Sequence, residues 1–256
     1  MSVAARRLRR LEQQPAAGGG FAPTDITGCI GWYDASDSGS FTYHSGTLVS
    51  QWDDLSGSGN HLVSASSGVA PDRTGTFNGL AIVAFSSDIL TDSGGGVDSQ
   101  VGDAESDFSF AVVYTTDSTA ANFLMGATPT STALGFAIFR QSSTNAEVRA
   151  RNSVSNRVRR ATVPADDWRT LIGTIDASSS GVRIPTLRAN GTNGASEFSA
   201  ASSGAAGTFA VGAREAGGAA TLFAGSIAEM IFYDNIISGT DVSDLETYLQ
   251  DKWATW

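Results

Sequence analysis

Oxygen-bearing side chains recur along one short stretch, Asp53-Asp54-Leu55-Ser56-Gly57-Ser58-Gly59-Asn60-His61. Asp54, Ser56, Ser58 and Asn60 alternate with residues that let a chain turn, and calcium takes about six to eight oxygens from flexible loops of this kind. The stretch lacks the terminal bidentate glutamate of an EF-hand. The competing reading is a loop of Asx and Ser turns whose side chains satisfy the local backbone. These four residues are the candidate calcium ligands, and calcium is the one cofactor the sequence suggests.

Asp103, Glu105 and Asp107 also alternate. Paired carboxylates hydrolyse glycosidic bonds only when they flank a cleft at a defined separation. Nothing in this run sets such a separation, and an acidic loop leading into a strand at Phe108 accounts for it. His44 and His61 are the only histidines and Cys29 the only cysteine. They make no zinc-ligand spacing, and no Ser–His–Asp order stands out. Cys29 reads as a small apolar thiol in a strand. No catalytic residue is assigned, and the chain is read as non-enzymatic.

Two further groups have binding chemistry. Trp32, Trp52, Trp168, Tyr33 and Tyr43 can stack on sugar rings. The tryptophans fall in strand patterns and read as core, whereas Tyr43 and His44 fall in a hairpin-like stretch and read as exposed. Arg149, Arg151, Arg157, Arg159 and Arg160 form a basic patch, and their two-residue spacing predicts pairs on one face of neighbouring strands. Such a patch suits an acidic glycan or an acidic neighbouring subunit. A solvated face paired with aspartates is the plainer reading. No residue is assigned to glycan binding.

The elements that must position these residues are mostly strands. Apolar and β-branched runs at 29–34, 48–54, 80–85, 108–116, 134–140, 168–176, 207–214 and 223–234 are separated by Gly-, Ser- and Asn-rich loops. In the last run Ile227, Met230 and Phe232 compete for one face, which predicts a bulge near Glu229. The segment 176–204 is polar and gives a weaker signal. One helix closes the chain. Ser238 is a good N-cap with Asp241 three residues on. Val242, Leu245, Leu249 and Trp253 line one face, with Tyr248 beside them. Such a helix is expected to cover a sheet edge or one end of a sandwich.

Charge divides the chain. The net charge is −10, yet Arg6, Arg7, Arg9 and Arg10 all lie in the first ten residues. They are four of the 16 basic residues, so the remainder carries 12 against 26 acidic ones. An acidic body repels phosphate backbones, which argues against nucleic acid as a partner. The first 14 residues favour helix, with Ala4, Leu8 and Leu11 in one stripe. A helix so short is marginal alone and gains stability by docking or self-association. PAAGGG at 15–20 is a flexible breaker. Residues 1–20 therefore read as a basic arm and linker, and 21–256 as one domain. The arginine cluster is not followed by the apolar stretch of a secretory signal, so synthesis in a cytoplasm is expected. No run of 18 apolar residues exists, so no membrane-inserted helix is expected.

Three stretches carry a family resemblance: GWYDASDSGSF at 31–41, VSQWDDLSGSGNHLVSA at 49–65 followed by APDRTGTFNGLAIVAFSS at 70–87, and GSIAEMIFYDNIISGTDVSDLETYLQDKW at 225–253. In this order they resemble the concanavalin A-like, laminin-G-like jelly-roll family, over about residues 25–256. The resemblance implies an all-β, two-sheet antiparallel sandwich with a C-terminal helix. It raises the expectation of calcium at the Asp54 loop. Glucanases with this fold carry E-x-D-x-x-E on one strand, and DAESDF at 103–108 does not match. The family includes carbohydrate-binding modules, adhesins and virion proteins, so the fold does not give the function. A basic arm on a jelly roll is similar in architecture to a phage decoration, fibre or tail protein. That likeness implies a virion-surface location and docking to a capsid or tail protein through Arg6, Arg7, Leu8, Arg10 and Leu11. It also implies homo-oligomerisation and binding to a cell-surface polysaccharide. The alternative is a bacterial carbohydrate-binding adhesin outside any virion.

Overall fold

The computed structural model describes residues 20–102, 106–116, 122–127, 135–142, 144–151, 156–163, 167–179, 182–199, 207–214 and 222–256. The arm, including Arg6, Arg7, Leu8, Arg10 and Leu11, lies outside these residues, as do Asp103 and Glu105.

In chain order the strands are β1 (Cys29–Asp34), β2 (Phe41–Ser45), β3 (Leu48–Trp52), β4 (Leu62–Val63), β5 (Thr76–Phe77), β6 (Leu80–Ala81), β7 (Val83–Ser86), β8 (Leu90–Asp92), β9 (Phe108–Thr116), β10 (Asn122–Gly126), β11 (Gly135–Ser142), β12 (Asn145–Arg151), β13 (Asn156–Thr162), β14 (Arg169–Ser179), β15 (Val182–Pro185), β16 (Arg188–Ala189), β17 (Thr192–Asn193), β18 (Ala195–Ser199), β19 (Ala210–Val211) and β20 (Ala224–Tyr233). The helices are α1 (Gly96–Gly102) and α2 (Gly239–Trp253). An eight-stranded sheet runs β1-β20-β9-β14-β16-β17, with β7 also on β20 and β15 on β14. A ten-stranded sheet runs β18-β13-β12-β11-β10-β19-β8-β4-β3-β2. The pairings are antiparallel, and the two sheets form the jelly-roll sandwich that the sequence implied.

Alternation builds the core. In β9, Phe108, Phe110, Val112 and Tyr114 point between the sheets, while Ala111 and Val113 point to the other face. From the facing sheet, Phe136, Ile138, Val148 and Ala150 complete the interior. Period-two patterning decides which side of each strand is buried.

The predicted bulge exists. The β20–β9 register shifts between Ile227 and Glu229. That shift lets Ile227, Met230 and Phe232 all join the inner core. It also leaves Glu229 beside Ala228 on the outer face, opposite Asp34 of β1. Bulges re-aim side chains in this way.

Helix α2 begins as its sequence predicts. Asp241 N donates to Ser238 Oγ and Ser238 N to Asp241 Oδ2, at 3.2 and 3.0 Å. Leu245, Leu249 and Trp253 are fully buried. They pack on Ala111, Val113, Ile172, Ala228 and Ile231, so the helix covers the outer face of the eight-stranded sheet, not an edge or an end. The reason is the second apolar face of β9, β14 and β20, which has to be shielded from water. The β5–β6 hairpin extends the cover. Phe77 stacks on Trp168 with centroids 4.2 Å apart.

Other boundaries moved. The run 80–85 breaks at Ile82 into β6 and β7, and only Ala210–Val211 of 207–214 is paired. The weak segment 176–204 holds the end of β14 and all of β15 to β18, while β10 and α1 had no clear signal.

Candidate functional site

The Asp54 loop is closed on itself. Asp54 Oδ1 accepts from the backbone N of Trp32 and Ser56 at 2.9 and 2.8 Å. Its Oδ2 accepts from Ser56 Oγ and Asn60 N at 2.8 and 3.1 Å. Asn60 is buried, donates Nδ2 to Ile30 O and accepts from Gly96 N through Oδ1. Ser58 Oγ donates to Cys29 O at 3.4 Å. A Cβ on Gly94 or Gly96 would sit 2.6 or 2.5 Å from the Asn60 side chain, so these glycines allow the loop to be plugged from beneath. The side chains act as turn and bridge acceptors for the backbone. Among the described residues no group of three or more His, Cys, Asp or Glu is placed to hold a metal.

The other singled-out residues are dispersed. Asp107 Oδ1 accepts from Ala177 N at 2.6 Å. His44 Nε2 lies 2.9 Å from Ser64 Oγ, and His61 Nδ1 accepts from Asp54 N. Cys29 is half-buried, and burial pushes its thiol up to about 12, so it is a poor nucleophile at neutral pH. Trp52 lies fully buried in the inner core, as its strand pattern suggested. Trp32 and Trp168 are only partly buried, and both lie on the outer face beneath the helix and hairpin.

Two clusters that sequence reasoning left unjoined stand out, one on each outer face. Under α2, Glu229 is completely buried. Its Oε1 accepts from Trp32 Nε1 and Tyr248 OH at 2.7 and 2.8 Å. Its Oε2 accepts from Lys252 Nζ and Trp253 Nε1 at 2.8 and 2.6 Å. Lys252, the only lysine of the chain, also reaches Asp34 Oδ2 at 2.6 Å. Burial holds the Glu229 carboxyl above the ordinary range, with Lys252 pulling it down and Asp34 pushing it up. The signal available in the sequence was one carboxylate within an apolar strand and one lysine in a chain of arginines. The cluster joins helix to sheet.

The second cluster is on the outer face of the ten-stranded sheet. Cross-strand register lines up Phe123, Phe139, Glu147 and Arg160 across β10, β11, β12 and β13. Beside that row run Ala137, Arg149 and Val158. Glu147 is buried and takes both cations: Arg149 Nε, and Arg160 Nη2 at 2.8 Å. The Arg149 guanidinium lies 4.5 Å from the Phe139 ring centroid, and that of Arg214 5.9 Å from Phe123. Arg149 and Arg160 keep about a fifth to a quarter of their side chains in solvent, 20% and 25%. The expected arginine pairing is corrected here. Arg159 faces Val148 in the register and so falls on the core side, opposite to Arg149. A one-residue offset between antiparallel neighbours changes the face. The pair that shares the outer face is Arg149 with Arg160. The side chains of Arg151 and Arg157 lie outside the described ones.

No family model matches the chain, and no curated protein matches it in sequence. Solved structures do match in shape. A Trypanosoma rangeli sialidase in complex with a difluorinated nononic acid aligns over 93% of this chain with TM-score 0.59 and 13% identity. A botulinum neurotoxin type C structure, described with cell entry dependent on interaction with two ganglioside molecules, aligns over 89% with TM-score 0.56 and 12% identity. The binding domain of botulinum neurotoxin DC in complex with SialylT aligns over 90% with TM-score 0.55 and 10% identity. The chain spans about half the length of the toxin chains, 52% and 53%, and 35% of the sialidase. At such identities the likeness establishes the β-sandwich fold and nothing further.

Proposed function

We propose that this chain is a non-enzymatic glycan-recognition module for acidic sugars, and that its basic arm attaches it to a larger particle. One observation carries the reading. The body is strongly acidic, yet the outer face of its ten-stranded sheet gathers Arg149, Arg160 and Arg214 around one glutamate and two phenylalanines. Arg149 and Arg160 are held by the buried Glu147, and guanidinium is the group that matches carboxylate and sulfate oxygens. The opposite outer face is covered by α2, and no comparable arginine cluster lies there among the described residues. The sandwich shared with toxin domains described with SialylT and gangliosides supports the same ligand class. A single site of this kind binds weakly and gains strength through many copies.

The particle reading rests on the arm. Arg6, Arg7, Leu8, Arg10 and Leu11 give residues 1–20 a basic, apolar-striped docking segment, which suits a capsid or tail subunit of a phage-like virion. A glycan array probed with the full chain tests the first part. Retention on sialylated or sulfated glycans, lost in Arg149→Ala/Arg160→Ala, is expected; equal retention by that variant overturns the site. Deletion of residues 1–20 tests the second part. The body is expected to stay folded and fail to join particles, and continued assembly overturns the arm's role.

A further inference from the structure

We infer that a second, chemically opposite sugar site lies at the end of α2, where Trp256 rims a cleft for a neutral, hydroxyl-rich pyranose. The cleft has a volume of about 370 Å³ and is lined by Ser243, Glu246, Thr247, Gln250, Asp251 and Trp256, with Gly191 opposite. Trp256 is the most exposed of the large apolar side chains described, at 46%. It is also held in place. Ala254 takes the left-handed conformation at the helix C-cap, which turns the chain out of α2. Thr255 Oγ1 then meets Thr170 Oγ1 at 2.8 Å in the interior. Gln250 clamps the next residue on both sides: its Nε2 donates to Trp256 O, and its Oε1 accepts from Trp256 N at 3.3 Å.

A half-exposed indole on a clamped backbone is a platform for an apolar sugar face. The cleft beside it offers acceptors for hydroxyls. Glu246 is oriented by Arg188, whose Nε and Nη2 reach its oxygens at 2.7 and 3.1 Å. Thr247 and Ser243 spend their hydroxyl protons on helix carbonyls, so each turns lone pairs outward. Glu246 and Asp251 line the cleft with carboxylate acceptors, which suit hydroxyl donors better than the carboxylates of sialic or uronic acids. Its selectivity is therefore the reverse of that proposed for the arginine face. The turn at Gly191, with φ +76°, keeps the far wall free of a side chain, and a Cβ there would lie 3.9 Å from Trp256 Nε1.

The test titrates the full chain with neutral gluco-, galacto-, manno- and N-acetylglucosamine oligosaccharides, following tryptophan fluorescence and calorimetry. At least one series is expected to bind and to perturb the emission of the exposed indole. Trp256→Ala is expected to weaken binding at least tenfold with an unchanged melting temperature. Gln250→Ala, which releases the Trp256 backbone without removing the indole, is expected to weaken it several-fold. Absence of binding by every neutral series overturns the site, as does equal affinity in Trp256→Ala. Binding of choline in preference to sugars also overturns it, since an acidic aromatic cleft is the alternative host for a quaternary ammonium. Binding of sialylated or sulfated glycans to Trp256→Ala reads the arginine face separately, so either proposal can fail without the other.

Discussion

Among the described residues each outer face of the sandwich buries one glutamate, and the two are held in opposite ways. Glu229 is fully buried and takes four donors from β1 and α2. Its single cation, Lys252, belongs to the covering helix and is shared with Asp34. Glu147 is equally buried, but its partners are two arginines of its own sheet, and both keep part of their side chains in water. The first arrangement closes a face. The second fixes cations on a face that has no helix above it among the described residues. A buried carboxylate thus serves as a clamp where its cation comes from a covering helix, and as a positioning anchor where its cations come from its own sheet.

The largest expected effect breaks the clamp. Lys252→Met leaves Glu229 and Asp34 facing each other without a cation, and removing one partner of a buried pair costs about 3–5 kcal/mol. Denaturant unfolding measures it, and a loss below about 1 kcal/mol would show that the triad is not a clamp. The deficit has a pH signature. The folded carboxyl of Glu229 lies above its ordinary value. Its own contribution to stability is therefore complete below the unfolded value and falls as pH rises through the folded one. Without Lys252 that folded value rises further. The gap between wild type and Lys252→Met is thus expected to be wider at pH 8 than at pH 5, by thermal melts. An equal gap would assign the effect to packing.

Next is Glu147→Gln. Both arginines can hydrate in its absence, so the expected loss is only about 1–2 kcal/mol. Removing a negative charge between two cations is expected to raise affinity for an anionic glycan several-fold. Weaker binding would mean that positioning outweighs the gain in charge. Ser238→Ala removes the N-cap of α2 and is expected to cost about 1 kcal/mol. Its effect concerns the covered face alone, so glycan binding by the arginine face should not change. The smallest effect concerns the Asp54 loop. With four backbone and hydroxyl donors already on that carboxylate, millimolar calcium is expected to leave the melting temperature unchanged, and a rise would favour the ligand reading over the turn reading.

Much of the clamp was legible locally and none of it as a cluster. The bulge at Glu229 followed from three apolar residues competing for one face, and the α2 cap followed from Ser238 and Asp241. Trp32, Asp34, Glu229 and Lys252 span more than 200 positions, so nothing in their spacing joins them. The arginine face shows a subtler limit. Two-residue alternation correctly puts Arg149 and Arg159 on strands, but the face each takes depends on the β12–β13 register. Register is set by the whole core, so Arg149 pairs in space with Arg160.

By itself the sequence determined the strand-rich body with its apolar alternation, the capped closing helix and the charge division between arm and body, while the two-sheet sandwich was what the family resemblance implied. These follow from periodicity, turn chemistry and capping, which act over a few residues. Only the tertiary structure decided which face the helix covers, where the one lysine lands and which arginines share a surface. Those outcomes depend on sheet order and register, which arise when distant strands bury a common core.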